Sequence, residues 1–279
     1  MEDSTDPPQQ PSPVWRIARS VLTIYLALCA LVFLFQRRLQ YFPDPSAVRL
    51  PRGGLLQGLE EVKLRTDDDL EIFAWYWSGE RPVTFVIFHG NGGNRLHRLE
   101  WMRALHLEGY GVFLLDYRGY GGSEGSPTED GLYRDAEAAV RWLEDRNVDN
   151  LVYLGESLGS GVAVEMASRR PPAALIVQSG FSSAVDIGKS AYPYLPVGLL
   201  MRDRFESLAK IGEIQVPLLQ IHGDQDRIVP LAFGRKLFEA AKEPKQWLTL
   251  SGLGHNTAYW AEEEYMATLE KFLSTHLKL

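Results

Sequence analysis

The chain has 279 residues, of which 45% are hydrophobic and 23% charged, and its formal net charge is −7 at pH 7. A chain of this length and composition is typical of a globular protein that buries a substantial core. Its one cysteine excludes a disulfide framework and the paired-cysteine motifs of zinc and redox sites. The negative charge and the lack of a basic stripe argue against a nucleic-acid partner.

The N-terminal residues differ in composition from the rest. Residues 1–13 contain four prolines and three acidic residues, which predicts a disordered tail because so little apolar surface is available to bury. Residues 21–35 contain no charged residue. Extended back to Val14, with Arg16 and Arg19 reaching the lipid headgroups, the apolar stretch is about 33 Å long as a helix, and a bilayer core is about 30 Å thick. We therefore predict a transmembrane anchor over residues 14–36, in contact with membrane lipid.

A cleaved signal peptide is the alternative interpretation of this segment. No Ala-x-Ala cleavage site closes the apolar run, and Arg37 and Arg38 follow it directly, which favours an anchor. Basic residues flank both ends of the run, so the sequence leaves open which side of the membrane the C-terminal part occupies.

From about residue 59, short β-branched or aromatic runs alternate with helical patterns. The predicted strands are residues 60–64, 70–77, 83–89, 111–117, 151–157, 173–178, 216–222 and 246–250. The predicted helices include residues 94–107, 127–145, 158–169, 230–243 and 257–276. This alternation predicts an α/β fold with a mostly parallel eight-stranded sheet and helices on both faces.

The helix over residues 127–145 shows the clearest local signals. Ser126 and Glu129 are expected to form a capping box, with Pro127 in the first turn. An apolar stripe is expected to face the core. This stripe consists of Leu132, Ala136, Ala139, Val140 and Leu143.

One segment interrupts the alternation after the sixth strand. Residues 181–214 are longer than an ordinary connection of roughly 2 to 6 residues, and residues 191–201 within them carry no charge. We predict a short cap insertion over a pocket, in which the uncharged run lines a slot for an acyl chain. The alternative is a helix that docks on the core without contacting a ligand.

The segment Gly155-Glu156-Ser157-Leu158-Gly159 lies where a predicted strand meets a predicted helix. A serine nucleophile on a parallel sheet requires such a tight turn, with small residues two places away on either side. The turn also puts Ser157 at a helix N-terminus, where unpaired N–H groups favour an oxygen anion. We predict that Ser157 is the catalytic nucleophile; a simple packing turn is the alternative.

A serine hydroxyl needs a base, and the base needs a carboxylate that orients it. Asp226 and His255 each follow the end of a later strand, and the order Ser157, Asp226, His255 is that of an α/β-hydrolase triad. The rival carboxylates are Asp224 and Asp186. Among the other histidines, those at the ends of predicted strands, His89 and His222, are expected to bond neighbouring loops.

The tetrahedral intermediate requires backbone donors for its oxyanion. Leu158 N–H follows the nucleophile, and Asn91 N–H is the expected second donor, in the glycine-rich run His89-Gly90-Asn91-Gly92-Gly93-Asn94. A flexible turn without a role is the alternative for this run. Neither a G-x-G-x-x-G pattern nor a Walker motif is present, so it does not predict a phosphate site.

Seven segments in order carry a family resemblance: QRRLQYFP, HGNGGN, DYRGYGGSEGSPTEDGLYRDA, GESLGSG, MRDRFESL, HGDQDRIVP and GLGHN. The chain resembles the α/β-hydrolase superfamily, and within it the membrane-anchored serine hydrolases related to the fungal bud-emergence protein and the eukaryotic palmitoyl-protein depalmitoylases. The resemblance implies an α/β-hydrolase domain over residues 37–279 and the site roles given above. It also implies that residues 116–122 form a structural loop beside the site. The cysteine cluster of the depalmitoylases has no counterpart in this N-terminus.

Together these features predict a membrane-anchored serine hydrolase that cleaves acyl esters or thioesters of lipid-like or acylated substrates, with no metal or organic cofactor. A serine peptidase acting on short peptides shares the triad and stays open. A non-catalytic binding scaffold on the same fold is a second alternative. Dehalogenases and epoxide hydrolases require a carboxylate nucleophile where Ser157 stands. The sequence predicts no oligomeric state.

Overall fold

The computed structural model describes residues 12–51, 56–255 and 262–277. Its main strands are β1 (Leu59–Arg65), β2 (Glu71–Trp77), β3 (Thr84–Phe88), β4 (Gly111–Leu115), β5 (Leu151–Glu156), β6 (Ala174–Gln178), β7 (Leu218–Gly223) and β8 (Lys245–Leu250). They form one sheet in the order β8-β7-β6-β5-β3-β4-β2-β1. Strand β2 runs antiparallel to both β1 and β4, and all other pairs are parallel. The predicted α/β fold with a mostly parallel eight-stranded sheet is confirmed.

Helices cover both faces of the sheet. They are α1 (Pro13–Gln40), α2 (Leu99–Leu107), α3 (Glu129–Glu144), α4 (Leu158–Arg169), α5 (Ala184–Ala191), α6 (Val197–Leu200), α7 (Leu208–Ile211), α8 (Leu231–Ala240) and α9 (Glu262–His276). A short 3-10 helix, Arg95–Arg98, precedes α2. The predicted helix over residues 257–276 begins in a segment that lies outside the described residues.

The central strand β3 is buried on both faces, which is why its sequence is continuously apolar. Val86 and Phe88 point into one core cluster together with α3 and α4. Phe85 and Ile87 point into the other cluster, together with α2 and α9. This two-sided packing fixes the carboxyl end of β3 beside that of β5, where the predicted site residues follow.

Helix α3 begins two residues later than predicted. Its N-cap is Thr128, whose Oγ1 accepts a hydrogen bond from Gly131 N–H at 2.9 Å. The predicted capping box of Ser126 and Glu129 is therefore wrong. Glu129 instead accepts hydrogen bonds from the backbone N–H groups of Arg204 and Phe205, at 2.5 and 2.9 Å. The predicted apolar stripe of α3 is buried throughout.

Helix α1 is 28 residues long and exposes most of its apolar side chains. Its most apolar 18-residue window has a mean hydropathy of 2.2 and is only 6% buried. By length and composition this helix can cross a membrane, and it contains the predicted span of residues 14–36. Ser12 and Pro13, which the prediction gave to the tail, cap and begin the helix instead. Residues 1–11 of the predicted tail lie outside the described residues.

The insertion after β6 is present as predicted. Residues 181–214 contain the short helices α5, α6 and α7 before the chain enters β7. We call this segment the cap. Its middle part contacts α1, as described below.

Candidate active site

Ser157 stands on a sharp turn between β5 and α4. Its φ of 51° and ψ of −116° lie in a region that non-glycine residues rarely adopt. The turn is possible because the chain runs closely past itself: a Cβ on Gly159 would overlap the carbonyl oxygen of Phe88, and a Cβ on Gly155 would overlap the backbone of α4. The two glycines flanking Ser157 are thus sterically required.

The structure brings the three predicted triad residues together. Ser157 Oγ lies 2.8 Å from His255 Nε2, and His255 Nδ1 lies 2.7 Å from Asp226 Oδ2. The His255 side chain is only 9% exposed, so the pair that it joins is largely shielded from water. This arrangement allows a proton to pass from the serine hydroxyl to an imidazole that a carboxylate holds in place.

The environment of Asp226 keeps its carboxylate charged. Oδ1 accepts hydrogen bonds from Ile228 N–H at 2.9 Å and Val229 N–H at 2.8 Å. Burial by itself raises the pKa of Asp226, but the hydrogen bonds with His222 and His255 outweigh burial and hold the pKa well below its usual range. The carboxylate is therefore an acceptor for His255 Nδ1–H throughout the neutral pH range.

The rival residues are engaged elsewhere. Asp224 is exposed and accepts a hydrogen bond from Gly252 N–H at 2.8 Å. Asp186 pairs with Ser182 Oγ at 2.5 Å and Lys236 Nζ at 3.1 Å. His89 and His222 bond loop backbone, as predicted, with 2.7 Å from His89 Nδ1 to the Gly90 carbonyl and 2.9 Å from His222 Nε2 to the Val229 carbonyl.

The two residues predicted to donate to the oxyanion, Asn91 and Leu158, line the same cavity as Ser157. Leu158 is the first residue of α4, so its N–H has no acceptor inside the helix. Among the described residues, no side chain or carbonyl accepts a hydrogen bond from Asn91 N–H. Tyr120 Oη donates to the Asn91 carbonyl at 2.9 Å. The Asn91 side chain donates to the Gln40 carbonyl at 2.5 Å and accepts from Phe42 N–H at 3.2 Å.

Sequence reasoning missed an ion pair that holds the same loop. Glu156 Oε2 accepts hydrogen bonds from Gly90 N–H at 2.9 Å and Arg98 Nε at 3.0 Å, and Arg98 Nη1 donates to the Gly92 carbonyl at 2.6 Å. Burial raises the pKa of Glu156, but Arg98 and the Gly90 N–H outweigh it and lower the pKa. The only sequence signal was that a charged residue, Glu156, ends an otherwise apolar strand directly before the nucleophile. A carboxylate at such a buried position needs a partner.

A cavity of about 1640 Å³ opens in front of Ser157 and His255. It exceeds the roughly 300 to 1,000 Å³ of ordinary small-molecule pockets. Its walls come from α1, α2, the cap, the loops after β3 and β7, and the N-terminal part of α9. Among the described residues, no group of three or more His, Cys, Asp or Glu side chains is placed to hold a metal ion. The predicted position of the cap over a pocket agrees with this geometry.

Comparisons with known proteins agree with the fold. Residues 83–205 match the family model described as the alpha/beta hydrolase fold. The chain is 30% identical over 288 residues to lysophosphatidylserine lipase ABHD12 of Danio rerio, covering 83% of this chain and 74% of that protein. It is 40% identical over 249 residues to an uncharacterized protein of Mycobacterium tuberculosis, covering 86% and 88%. The Pyrococcus furiosus esterase Pf2001 superposes with a TM-score of 0.70 at 22% identity, covering 84% of this chain and 99% of the esterase. The chain therefore belongs to the α/β-hydrolase superfamily, as its motifs predict.

Proposed function

We propose that this α/β-hydrolase is a membrane-anchored serine hydrolase that cleaves acyl esters or thioesters. The observation that carries the proposal is the unbroken hydrogen-bonded line from Ser157 Oγ through His255 to Asp226, at 2.8 and 2.7 Å. A hydroxyl, a base and an orienting carboxylate in this geometry are the requirements for nucleophilic acyl transfer.

The reaction proceeds in two halves. His255 Nε2 takes the hydroxyl proton as Ser157 Oγ bonds to the carbonyl carbon of the substrate, and Asp226 stabilises the resulting imidazolium. The N–H groups of Asn91 and Leu158 stabilise the negative charge on the former carbonyl oxygen. When the tetrahedral intermediate collapses, the C–O or C–S bond breaks and His255 returns the proton to the leaving alcohol or thiol.

Water completes the cycle. It loses a proton to His255 Nε2 while its oxygen attacks the acyl-serine carbonyl, and the second tetrahedral intermediate releases a carboxylic acid. The proton then returns to Ser157 Oγ. His255 is the general base and the general acid in both halves, so the proposal includes no cofactor.

Lipid-like esters are the proposed substrates. Apolar side chains of α1 and the cap form much of the cavity wall, in a chain whose first helix is long and apolar enough to cross a membrane. The similar protein of Danio rerio is described as a lysophosphatidylserine lipase, and a similar structure is an esterase. These descriptions favour an acyl ester over a peptide bond, and residues 14–36 would keep the site close to lipid.

Hydrolysis kinetics of the full-length protein in detergent test this proposal. Ser157→Ala is expected to lower kcat for a short acyl ester by about 10⁶, because the attacking atom is removed. Ser160→Ala is the matched control, since Ser160 is a buried serine one turn further along α4 whose loss leaves the triad intact.

Rates on acyl esters, acyl thioesters and aminoacyl amides of equal size then decide the bond type. We expect kcat/KM for the ester and the thioester to exceed that for the amide. A higher kcat/KM for the amide would replace the proposal by a peptidase. Equal activity of Ser157→Ala and wild type would exclude Ser157 as the nucleophile. No activity of the wild type on any of these substrates would leave only a binding scaffold.

A further inference from the structure

One face of α1 is part of the cavity that contains Ser157. Leu28, Val32, Gln36 and Leu39 line it, and their spacing of three or four residues puts them on one side of the helix. Both the membrane-directed part of α1, by which we mean the portion within the predicted span of residues 14–36, and the last turns of the helix therefore contribute to the same cavity wall. Neither the apolar composition of residues 14–36 nor the triad motifs indicated this contact.

The last turns of α1 are fixed to the cap by several polar contacts. Gln36 Nε2 donates to the Leu200 carbonyl at 3.0 Å, and Gln36 Oε1 accepts from Arg202 N–H at 2.7 Å. Arg37 makes a two-pronged ion pair with Asp203, at 2.9 and 3.2 Å, in which the Asp203 side chain is only 6% exposed. These contacts set the spacing between helix and cap, so the groove between them has a defined width.

Towards the N-terminus of α1, the contacts between the helix and the cap are fewer. Tyr25 Oη donates to the Tyr194 carbonyl at 2.9 Å. Between Tyr25 and Gln36, apolar side chains of α1 and of the cap line the same cavity, and we call the space between them the groove. On the cap side they are Ala191, Leu195, Val197 and Leu200.

The groove connects the membrane-directed part of α1 with the nucleophile. Gln40 touches the loop of Asn91 through its carbonyl, and Leu28 lies twelve residues earlier, about 18 Å away along a helix. Leu28 lies within the predicted span of residues 14–36 and is 43% exposed. An apolar slot that begins inside a membrane-directed helix and ends at a serine nucleophile has the shape and chemistry to hold a single acyl chain.

We propose that α1 is one wall of the acyl-binding site, and that the acyl chain lies between α1 and the cap after entering sideways from the bilayer. The anchor is then a substrate-binding element as well as a tether. This inference rests on the proposed acyl-hydrolase function. Long, single acyl chains are then the preferred acyl groups, and Val32 and Leu28 border the part of the groove that sets their length.

Tryptophan substitutions on the two sides of α1 test the inference. Val32→Trp would fill the groove, whereas Leu34→Trp introduces the same side chain at a position that is 70% exposed and does not line the cavity. The full-length proteins are assayed in detergent micelles with butyryl and palmitoyl esters of one alcohol. We expect Val32→Trp to lower kcat/KM for the palmitoyl ester by roughly ten-fold or more, with the butyryl ester and all rates of Leu34→Trp unchanged.

A second variant keeps the test decisive if Val32→Trp does not fold. Leu28 lies one helical turn further from the loop of Asn91 than Val32. Leu28→Trp is therefore expected to reduce hydrolysis of the palmitoyl ester but to spare a decanoyl ester. A merely structural effect would reduce the rates for all chain lengths together.

The possible outcomes separate the two proposals. Equal palmitoyl and butyryl losses in both groove variants, or equal losses in Val32→Trp and Leu34→Trp, would overturn the role of α1 while the hydrolase function stands. Wild-type hydrolysis that does not depend on Ser157 would instead remove the proposed function itself.

Discussion

At the scale of single residues, the proposed chemistry depends on which nitrogen of His255 carries a proton. Asp226 Oδ2 faces Nδ1 at 2.7 Å, so a charged carboxylate favours the tautomer in which Nδ1 bears the hydrogen. The unprotonated Nε2 can then accept the proton of Ser157. Both proton-accepting steps of the proposed mechanism start from this tautomer.

Asp226→Asn tests the orienting role directly. The amide keeps an oxygen for the N–H groups of Ile228 and Val229, but its NH₂ group faces His255 Nδ1 and favours the opposite tautomer. We expect kcat to fall on the order of 10⁴ with little change in KM. Steady-state kinetics with a short acyl ester measure this, and a loss below about ten-fold would contradict the orienting role.

Glu156 and Arg98 act on the oxyanion loop rather than on the substrate, so they are proposed as positioning residues. Glu156→Gln removes the charge that pairs with Arg98 and holds Gly90 N–H. We expect kcat to fall on the order of ten-fold while KM stays constant, because only the transition-state donors move. Glu100→Gln is the matched control, since Glu100 also lines the cavity but is 84% exposed and pairs with Arg103. A change in KM alone would contradict the assignment.

The sequence predicted that Ser157, Asp226 and His255 come together, because each of them follows its own strand and parallel strands end at the same edge of a sheet. The Glu156–Arg98 pair has no comparable signal. Arg98 comes from a turn before α2, and only the tertiary packing brings it to β5. Sequence motifs do not identify a residue whose contact with a loop depends on a different element of the fold.

At the scale of elements, local sequence signals predicted a structure reliably where backbone geometry alone determines that structure. The turn at Ser157 follows from two glycines and a strand-to-helix junction. The start of α3 did not follow, because the Glu129 carboxylate accepts hydrogen bonds from the backbone N–H groups of Arg204 and Phe205 in the cap instead of closing a capping box. In a predicted capping box, the N-cap N–H must compete for the glutamate carboxylate with every other hydrogen-bond donor that the fold brings near.

The turn at Ser157 makes a prediction about stability. Gly159→Ala forces a Cβ against the Phe88 carbonyl, which should cost about 3 kcal/mol of unfolding free energy. Gly92→Ala is the control, because no atom lies within 4 Å of a Cβ placed there and φ is not positive. Thermal unfolding of the detergent-solubilised proteins should show a lower Tm for Gly159→Ala only. Equal Tm values for the two variants would show that the turn is less tightly packed than described.

At the scale of the whole molecule, the order of strands and helices could be predicted because apolar runs and helical stripes are strong local signals. The relation between α1 and the cap could not be predicted. It depends on polar contacts such as Arg37 with Asp203, which are far apart in sequence. The apolar run alone indicated a tether, whereas its contacts make it part of the cavity.

Membrane attachment is a separate prediction. We expect the full-length protein to stay in the membrane fraction during an alkaline carbonate wash. Leu22→Arg with Leu26→Arg places two charges on exposed positions of α1, at about 3 kcal/mol each in the centre of a bilayer, and should shift protein to the soluble fraction. The double alanine variant at the same positions should behave as wild type. Release of the wild type by the wash would contradict anchoring.

Identifying the nucleophile by covalent labelling is the most direct test of the proposed mechanism. The full-length protein is treated with a fluorophosphonate, and the modified peptide is identified by tandem mass spectrometry. We predict one phosphonyl adduct, on Ser157 Oγ, which persists in Ser160→Ala and disappears in Ser157→Ala and His255→Ala. An adduct on another serine, or undiminished labelling of Ser157→Ala, would contradict the mechanism.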